Sequence, residues 1–292
     1  MQDEIRFRMK KQELPLVSII TPSYNQGRFI EETILSVKNQ KYENIEHIII
    51  DGASTDNTVS ILNKYPHLKW ISEPDRGQSH AINKGLRLAK GELLAYLNSD
   101  DTYCPWTVKI VVEYFSQYQN VDMVYGDCNI INADSQLVGL EKKMPFSYKD
   151  LLRYSNYGGG NYIKQPAAFF RKSIQLQVGL FDEQLHYAMD YDYWLRLGRI
   201  GKIIYIPIAL ANARKWALAK TINKEIEMRA EAVQVCRRHL GRGLNLAKIR
   251  YFFSWIGHKW MGIFECANSF VFKLLKRIIG ETTYNKLRLF YE

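Results

Sequence analysis

Two adjacent carboxylates, Asp100 and Asp101, come directly after a short apolar run in the sequence LLAYLNSDD. Like charges side by side repel, so a cation, a helix N-terminus, a basic partner or water must compensate them. Side chains alternate in an extended segment, which places Asn98 on the same side as Asp100 and turns Asp101 away. Oxygen ligands of this kind suit a hard cation, Mg²⁺ or Mn²⁺, that also binds substrate phosphates. Alternatively, the two acids only cap the helix that follows or form a solvated turn.

A second pair of acids, Asp190 and Asp192, lies in the sequence MDYDYWLRL. Residues two apart on a helix are separated by about 200° around its axis, so these carboxylates do not face the same target. One of them can accept a proton as a general base, while the other faces solvent or pairs with Arg196. The alternative is that both only stabilise the first turn of the helix through its dipole.

Three further polar segments also follow apolar runs: TPSYNQG, DGAST and EPDRGQ. In the first, backbone N–H groups at a helix N-terminus can hold an anion, and Tyr24 can stack on a base. Asp51 can accept hydrogen bonds from a base or ribose, and Arg76 can pair with a diphosphate. Each segment also has a purely structural interpretation: an ordinary turn, a turn capped by Asp51, and a pair between Arg76 and Asp75.

The elements that position these segments alternate between strand and helix. The predicted strands are Leu16–Thr21, Ile45–Ile50, Leu68–Ser72, Leu93–Leu97, Val121–Tyr125, Lys202–Ile206 and Ile208–Ala213. The predicted helices are Ile30–Asn39, one capped by Thr55 or Asp56, Gln78–Ala89, Trp106–Tyr118, Met189–Leu197 and Ala217–Leu240, with a loop near Gly158–Gly160. Such alternation indicates an α/β fold with a mostly parallel sheet flanked by helices. Ligands bind beyond the carboxyl ends of such strands, so the polar segments should converge on one site.

The formal net charge of +10 comes from the end of the chain. Residues 214–292 hold 16 Lys and Arg against 6 Asp and Glu, and residues 1–213 hold 24 of each. We therefore predict a neutral domain at 1–221 and a helical, basic extension at 222–292. Basic residues interleaved with aromatic ones suit an amphipathic helix on an anionic membrane surface. The alternatives are a solvated basic face and nucleic-acid binding, which the neutral first domain disfavours.

The sequence lacks the motifs of several common classes of binding site. No GxGxxG follows the first strand and no GxxxxGK[ST] occurs, so nicotinamide and P-loop sites lose their usual support. The four cysteines form no CxxC pair, and no His cluster has zinc spacing. The charged N-terminus has no signal-peptide core, and no apolar run is long enough to span a bilayer. We expect a cytoplasmic protein, peripheral on the inner face of the cytoplasmic membrane.

Taken together, the motifs resemble a known enzyme family. The chain is similar to family 2 glycosyltransferases of the GT-A fold in five segments: VSIITPSYNQGRFIEETILSV, EHIIIDGASTDNTVSIL, EPDRGQSHAINKGLRLAKGE, LLAYLNSDD and GLFDEQLHYAMDYDYWLRLG. The resemblance covers Leu16–Thr221 and is strongest to the bacterial branch that builds O-antigen, capsule and other surface polysaccharides. It implies transfer of a sugar, of the hexosyl type, from a nucleotide diphosphate sugar to an acceptor hydroxyl, with inversion. Such acceptors are commonly saccharides on a polyprenyl diphosphate carrier at the inner leaflet.

The resemblance also implies roles for individual residues. Asp190 would be the general base. Asp100 would bind the divalent cation, Mn²⁺ or Mg²⁺, that bridges the two phosphates, with Asp101 as the second candidate. Gln165 and Pro166 would lie near the acceptor or the donor sugar. The nucleotide sugar would contact Pro22, Ser23, Tyr24, Asn25, Asp51, Arg76, Gly77, Asn98 and Ser99.

Three positions depart from the family pattern. Asn98 replaces the first acid of the D-x-D signature, and Gly52 replaces a second acid that often helps to choose the base. Trp216 stands where many relatives carry a His; if that His is a metal ligand, ion binding here depends more on the nucleotide. These departures keep open an alternative, a catalytically impaired nucleotide-sugar or polysaccharide binding module. A nucleotidyltransferase would need a basic, Gly-rich first loop, which TPSYNQG is not.

Overall fold

The computed structural model describes residues 14–152, 161–216 and 224–240, all of which belong to one compact unit. The strands in these ranges are β1 Val17–Ser23, β2 Ile45–Asp51, β3 Lys69–Ser72, β4 Leu93–Tyr96, β5 Thr102–Tyr103, β6 Met123–Ile131, β7 Leu137–Glu141, β8 Ala168–Arg171 and β9 Ile203–Arg214. The helices are α1 Ile30–Lys38, α2 Thr58–Leu62, α3 Gln78–Leu88, α4 Thr107–Gln117, α5 Tyr148–Leu151, α6 Lys172–Val178, α7 Met189–Ile200 and α8 Glu225–His239, with a 3₁₀ turn at Gln165–Ala167.

The strands form one sheet in the order β3-β2-β1-β4-β8-β6-β9-β5, and β7 pairs with β6. The pairs from β3 to β4 are parallel, as the alternation of elements predicts. Beyond β4 the sheet is mixed, because β8 runs antiparallel to both β4 and β6 while β9 runs parallel to β6. The sequence did not predict β5, β7 or β8, which are short or lack clear apolar alternation.

The core lies on both faces of the sheet. On one face, α1 buries Ile30, Ile34 and Val37, the three positions that predicted this helix. Burying each of these side chains stabilises the fold by roughly 1.5–3 kcal/mol. The β1 strand contributes Ile19 and Ile20, both fully buried on opposite faces of the sheet. Strands that are covered on both sides read as continuous apolar runs, as β4 and residues 48–50 of β2 do.

The bounds of most predicted elements agree with the structure within three residues, but β6 continues to Ile131, six residues beyond the predicted end at Tyr125. The two strands predicted on either side of Pro207 are one strand, β9. The register with β6 jumps from Ile206 to Ala209, so Pro207 lies at a bulge. Proline cannot donate to a sheet ladder, and a bulge accommodates it without breaking the strand.

The predicted helix Ala217–Leu240 is wrong at its start. Lys224 is not helical, and α8 begins at Glu225 and buries Ala232, Val235 and Cys236. Residues 217–223, the loop near Gly158–Gly160 and the remainder of the basic extension lie outside the described residues. No described helix is both long and apolar enough to cross a membrane.

Candidate active site

The carboxyl ends of β1, β2 and β3 align side by side. Ser23 lies opposite Asp51, and Asp51 lies opposite Ser72. Leu97, just beyond β4, donates its N–H to the Ile20 carbonyl of β1 over 2.8 Å. The loops that follow these strands therefore emerge at one edge of the sheet, as the alternation of elements predicts.

Asp51 is fully buried at this edge. Its carboxylate accepts hydrogen bonds from the Ser54 N–H at 2.9 Å and from the hydroxyls of Ser54 at 2.5 Å and Ser72 at 2.6 Å. Asp51 therefore links the end of β2 to the end of β3. A structural role was one of the two interpretations of Asp51 that the sequence left open. Contact between Asp51 and a base or ribose stays a prediction.

Three backbone N–H groups in the turn after β1 are already hydrogen-bonded within the protein, so they are not available to an anion. Three consecutive N–H groups donate to side chains of the loop after β2: Asn25 to Ser54, Gln26 to Thr58 and Gly27 to Asp56, at 2.7, 3.0 and 2.9 Å. The prediction of a backbone anion cradle in this turn is wrong for these three groups, because the neighbouring loop already satisfies them. Pro22 is buried, whereas the Tyr24 ring is exposed and free to stack on a base.

Asp75 lies beside Gly52, although the sequence predicted it only as a partner for Arg76. A Cβ at Gly52 would lie 2.8 Å from Asp75 Oδ2 and 3.5 Å from Tyr24 Cδ2. The Asp75 carboxylate therefore occupies the space beside Gly52, close to the Tyr24 ring. Its other oxygen accepts the Gly77 N–H at 2.7 Å, and Gly77 has φ of 112°, a conformation that favours glycine.

Arg76 does not pair with Asp75. Its guanidinium binds Glu183 at 2.5 Å on the surface, and the Arg76 side chain is 70% exposed. A surface ion pair of this kind contributes little stability, so a diphosphate could replace Glu183 at small cost. Asn98 accepts a hydrogen bond from Gln78 at 2.7 Å, which links the loop after β4 to the helix that follows Arg76.

The segment Asn98–Asp101 is a turn rather than an extended strand. The Asp101 N–H donates to the Asn98 carbonyl at 3.1 Å, and the Asn98 amide donates to Asp101 Oδ2 at 3.3 Å. The predicted alternation, with Asn98 beside Asp100, is therefore wrong. Ser99 is buried, and its carbonyl accepts the Thr33 hydroxyl at 3.0 Å.

Asp101 faces the protein interior. Its Oδ1 accepts the Arg214 N–H at 2.9 Å, while Oδ2 faces the Asn98 amide. Burial and the neighbouring charge of Asp100 raise the pKa of Asp101 to about 8. Both of its oxygens are engaged by the protein, and the role of Asp101 as a second cation ligand stays a prediction.

Asp100 is half-buried at the turn after β4. Its Oδ2 accepts the indole N–H of Trp216 at 3.0 Å, and its main-chain carbonyl accepts Arg214 Nε at 2.8 Å. Asp100 Oδ1 has no hydrogen-bond partner among the described residues. One carboxylate oxygen is therefore available to a ligand.

Arg214 stabilises the turn at 98–101. The sequence did not predict this role. Its side chain is fully buried, pairs with Glu32 and lies over the Phe29 ring at 4.7 Å. Its Nη1 also donates to the Asn132 carbonyl at 3.0 Å and to the Ser135 hydroxyl at 2.9 Å. One side chain at the end of β9 thus joins α1, the β6–β7 turn and the Asp100 loop.

Gln165 and Pro166 are buried under the end of β4. The Gln165 side-chain amide donates to the Tyr96 carbonyl, the last residue of β4. Its other polar atom, Oε1, is buried and has no partner among the described residues. Gln165 therefore supports the turn that carries Asp100, and an approach of either residue to a sugar stays a prediction.

Asp190 lies in the first turn of α7 and is half-buried. It accepts hydrogen bonds from the Asn161 amide at 2.8 Å and from the Tyr191 N–H at 2.7 Å. Burial raises the pKa of Asp190 to about 6, against the lowering effects of the Tyr191 N–H and of the Lys164 charge. Such a carboxylate is ionised at neutral pH and is basic enough to accept a proton.

Asp192 is turned the other way, as the helical spacing predicts. It pairs with Arg196 at 2.8 Å and with His239 of α8 at 3.0 Å. Asp190 and Asp192 therefore have different surroundings, and of the two it is Asp192 that forms ion pairs with described residues.

The comparisons with known proteins decide the family. The model of Glycosyl transferase family 2 matches residues 18–176, more than half of the chain. The chain belongs to this family. The matched region holds the loops after β1 to β4, and Asp190 lies beyond it.

A relative and two solved structures agree with this assignment. An uncharacterized glycosyltransferase of Rickettsia prowazekii is 31% identical over 227 residues, which is 74% of this chain and 69% of the relative. The chain covers less of two other Rickettsia relatives, 64% and 34% of their length.

The S. aureus TarS fragment in complex with UDP-GlcNAc has a TM-score of 0.62 at 19% identity, over 80% of this chain and 69% of that one. The mannosyltransferase PcManGT from Pyrobaculum calidifontis, in complex with GDP-Man and Mn²⁺, has a TM-score of 0.58 at 21% identity, over 84% and 70%. These neighbours confirm the GT-A fold class, and the protein is a family 2 glycosyltransferase.

The described side chains of this glycosyltransferase meet the requirements of a cation site only in part. Among the described residues, no group of three His, Cys, Asp or Glu side chains could hold a metal ion. Asp100 offers one carboxylate oxygen. Mg²⁺ and Mn²⁺ are commonly held by one or two carboxylates together with substrate phosphates, so Asp100 fits an ion that the nucleotide also binds.

Glu231 of α8 secures the segment that leads into the Asp190 helix. Its carboxylate accepts three consecutive backbone N–H groups, those of His186 at 2.8 Å and of Tyr187 and Ala188 at 2.6 Å. Amides just before a helix N-terminus favour a negative charge. Glu231 lies in the predicted basic extension, and no local sequence pattern indicates its role, because the contact joins distant parts of the chain.

Proposed function

We propose that this glycosyltransferase moves a sugar from a nucleotide diphosphate sugar to a hydroxyl of a saccharide acceptor, with inversion at the anomeric carbon. The observation that carries the proposal is Asp190, a half-buried carboxylate with a pKa of about 6 that is held by the Asn161 amide. No other described acid in the Asp190 helix is free, because Asp192 is paired with Arg196 and His239. A single inverting displacement needs one such base.

In the proposed reaction, Asp190 accepts the proton of the acceptor hydroxyl as the oxygen attacks the anomeric carbon. The bond to the diphosphate breaks on the opposite side, and the leaving group gains negative charge. Arg76 is exposed and exchangeable, so it can stabilise that charge. A divalent cation, when bound at Asp100, would supply further electrostatic stabilisation of the diphosphate.

We assign recognition of the nucleotide to the loops that follow β1, β2 and β3. The exposed Tyr24 ring and the Asp75 carboxylate border one space beside Gly52, which suits a flat base that stacks and donates hydrogen bonds. One structural neighbour holds UDP-GlcNAc and another holds GDP-Man. We propose a nucleotide diphosphate sugar of this kind without choosing its base.

The proposal also specifies the class of acceptor and the cellular location of the reaction. We infer a lipid-linked saccharide on the inner face of the cytoplasmic membrane, in surface polysaccharide synthesis. The excess of 16 basic over 6 acidic residues in 214–292 supports attraction to anionic lipid.

A test starts with calorimetric titration of UDP, GDP and dTDP, with and without Mn²⁺, into the full chain and into Asp100→Ala. We expect one nucleotide to bind, with Mn²⁺ increasing its affinity in the intact chain and not in the variant. The matching nucleotide sugars are then assayed for release of the nucleoside diphosphate with and without a saccharide acceptor. If no nucleotide binds under any condition, the proposed function is wrong.

The alternative, a binding module without catalysis, rests on the hydrogen bond that engages one oxygen of Asp100. It makes a different prediction in the same experiment. A binding module binds the nucleotide sugar but releases no nucleoside diphosphate with any acceptor, and its binding is unaffected by Asp190→Asn.

A further inference from the structure

Arg76 and Glu183 form an ion pair between two segments that each border the proposed reaction. Nη2 of Arg76 lies 2.5 Å from Oε2 of Glu183, although the two residues are 107 positions apart in the chain. Arg76 belongs to the loop after β3, and Glu183 lies in the segment that leads into α7 and Asp190. The pair therefore joins a loop assigned to the donor with the helix that carries the proposed base.

The residues on either side of Arg76 contact the other donor loops. Asp75 occupies the space beside Gly52 in the loop after β2. Gln78, two residues after Arg76, donates its side-chain amide to Asn98 at 2.7 Å, in the turn after β4. In the proposed complex the diphosphate connects the nucleoside with the turn after β4. Arg76 is therefore placed along the path of the diphosphate.

Glu183 is held in position by a second contact. Its Oε1 accepts the side-chain amide of Asn83 at 3.0 Å, and Asn83 also donates to the Phe181 carbonyl at 2.9 Å. Hydrogen bonds from Asn83 and Arg76 lower the pKa of Glu183, which keeps its carboxyl group charged at neutral pH. The side chain of Glu183 is 25% exposed, against 70% for that of Arg76. Glu183 is thus an anchored anion, whereas the guanidinium of Arg76 has room to exchange partners.

The Glu183 carboxylate and a diphosphate would use the same donor atom of Arg76. A guanidinium binds a phosphate most strongly through two parallel N–H groups. Nη2 belongs to both of the edges that present such a pair, and it is the atom that binds Glu183. The carboxylate therefore obstructs bidentate binding of a diphosphate until it is displaced.

We propose that Glu183 competes with the donor's diphosphate for Arg76 and binds Arg76 again when the nucleoside diphosphate leaves. The contact lowers the affinity of the enzyme for its nucleotide, and it speeds release of the product after transfer. The inference rests on the proposed function, since it gives Glu183 a task in the donor site of that reaction.

The test measures both the affinity and the dissociation rate of the nucleotide in the full chain. Calorimetry with Mn²⁺ first identifies which of UDP, GDP and dTDP binds, and stopped-flow displacement then gives its dissociation rate. Glu183→Gln removes the charge and keeps an oxygen for the Asn83 amide. We expect this variant to bind the nucleotide about two- to fivefold more tightly, mainly through slower dissociation. The difference should shrink at high ionic strength, because salt screens exposed charges.

A double-mutant cycle shows whether the effect passes through Arg76. Arg76→Gln should weaken nucleotide binding at least threefold, and Glu183→Gln should bring no gain in the Arg76→Gln background. Glu73→Gln is the matched control, because Glu73 is an acid of the same loop, is 53% exposed and pairs with Lys84 at 2.7 Å. This control should bind the nucleotide as the unaltered chain does.

Three outcomes would overturn the proposal. The first is that Glu183→Gln binds the nucleotide no more tightly than the Glu73→Gln control. The second is a gain of the same size when Arg76 is also replaced, which would make Glu183 a general source of repulsion. The third is unchanged binding by Arg76→Gln, which would remove Arg76 from the donor site. The proposed function fails separately, if the unaltered chain binds no nucleotide, and that result precedes any comparison of variants.

Discussion

The indole N–H of Trp216 donates a hydrogen bond to Oδ2 of Asp100 over 3.0 Å. The ring is held by an edge contact to Phe29, with 5.0 Å between the ring centroids. An indole nitrogen donates and does not coordinate metals, so Trp216 fixes the carboxylate without adding a ligand. A divalent ion at this site would then meet one oxygen of Asp100 and would depend on the nucleotide for the rest of its shell.

The first prediction concerns Mn²⁺ binding, measured from the free-ion signal in electron paramagnetic resonance. We expect the unaltered chain to bind Mn²⁺ weakly alone and at least tenfold more tightly with the nucleotide that calorimetry identifies. Trp216→His replaces the indole by an imidazole, which can coordinate the ion. We expect this variant to bind Mn²⁺ at least tenfold more tightly than the unaltered chain when no nucleotide is present.

Trp216→Phe is the control for this prediction, because it removes the indole N–H and adds no ligand. It should gain much less Mn²⁺ affinity than Trp216→His. Tight Mn²⁺ binding by the unaltered chain without nucleotide would contradict the interpretation of Trp216.

The second prediction is the pH dependence of transfer. Asp190 acts as a base only when deprotonated, and burial raises its pKa to about 6. We expect kcat/KM to be constant above that pH and to fall about tenfold per unit below it. Asp190→Asn should lower kcat/KM by about 10²- to 10⁴-fold and remove this titration.

Asp134→Asn is the control for the pH profile, because Asp134 is an exposed acid whose side chain forms one distant surface pair, with Arg28, in the part of the chain that the structure describes. It should keep both the rate and the titration near pH 6. An Asp190→Asn enzyme with an unchanged pH profile would show that another group is the base.

The parts of the site that the sequence predicts are those within single loops. Asp51 and Asp100 follow predicted strands, so local pattern and parallel topology were enough to bring their loops to one edge of the sheet. The role of Asp190 came from resemblance to the family and stays a prediction. Arg214 and Glu231 act through contacts to residues far away in the chain, and no local pattern reveals such pairs. The sequence also did not predict the contacts of Asp101. The turn at 98–101 breaks the alternation of side chains that an extended segment would have.

The third prediction concerns Gly52 and Asp75. A Cβ at residue 52 would lie 2.8 Å from Asp75 Oδ2, so Gly52→Ala must displace this carboxylate. We expect Gly52→Ala and Asp75→Asn each to weaken the preferred nucleotide about tenfold in calorimetry, the loss of roughly one charged hydrogen bond.

Gly139→Ala is the matched control for Gly52→Ala, since its nearest neighbour would be Ile130 Cβ at 3.9 Å. It should bind the nucleotide as the unaltered chain does. Equal binding by Asp75→Asn and the unaltered chain would remove Asp75 from the base site.

The fourth prediction is that Glu231 of α8 positions the Asp190 helix. Glu231→Gln keeps the shape but removes the charge that accepts three N–H groups before α7. We expect a loss of about 1–3 kcal/mol in unfolding free energy, measured by urea denaturation, and a several-fold fall in kcat with the titration near pH 6 retained. Glu227→Gln on the same helix is the control, because Glu227 is exposed and its one ion pair among the described residues is with Lys224. If Glu231→Gln lowers stability while kcat stays that of the control, α8 supports the fold without positioning the base.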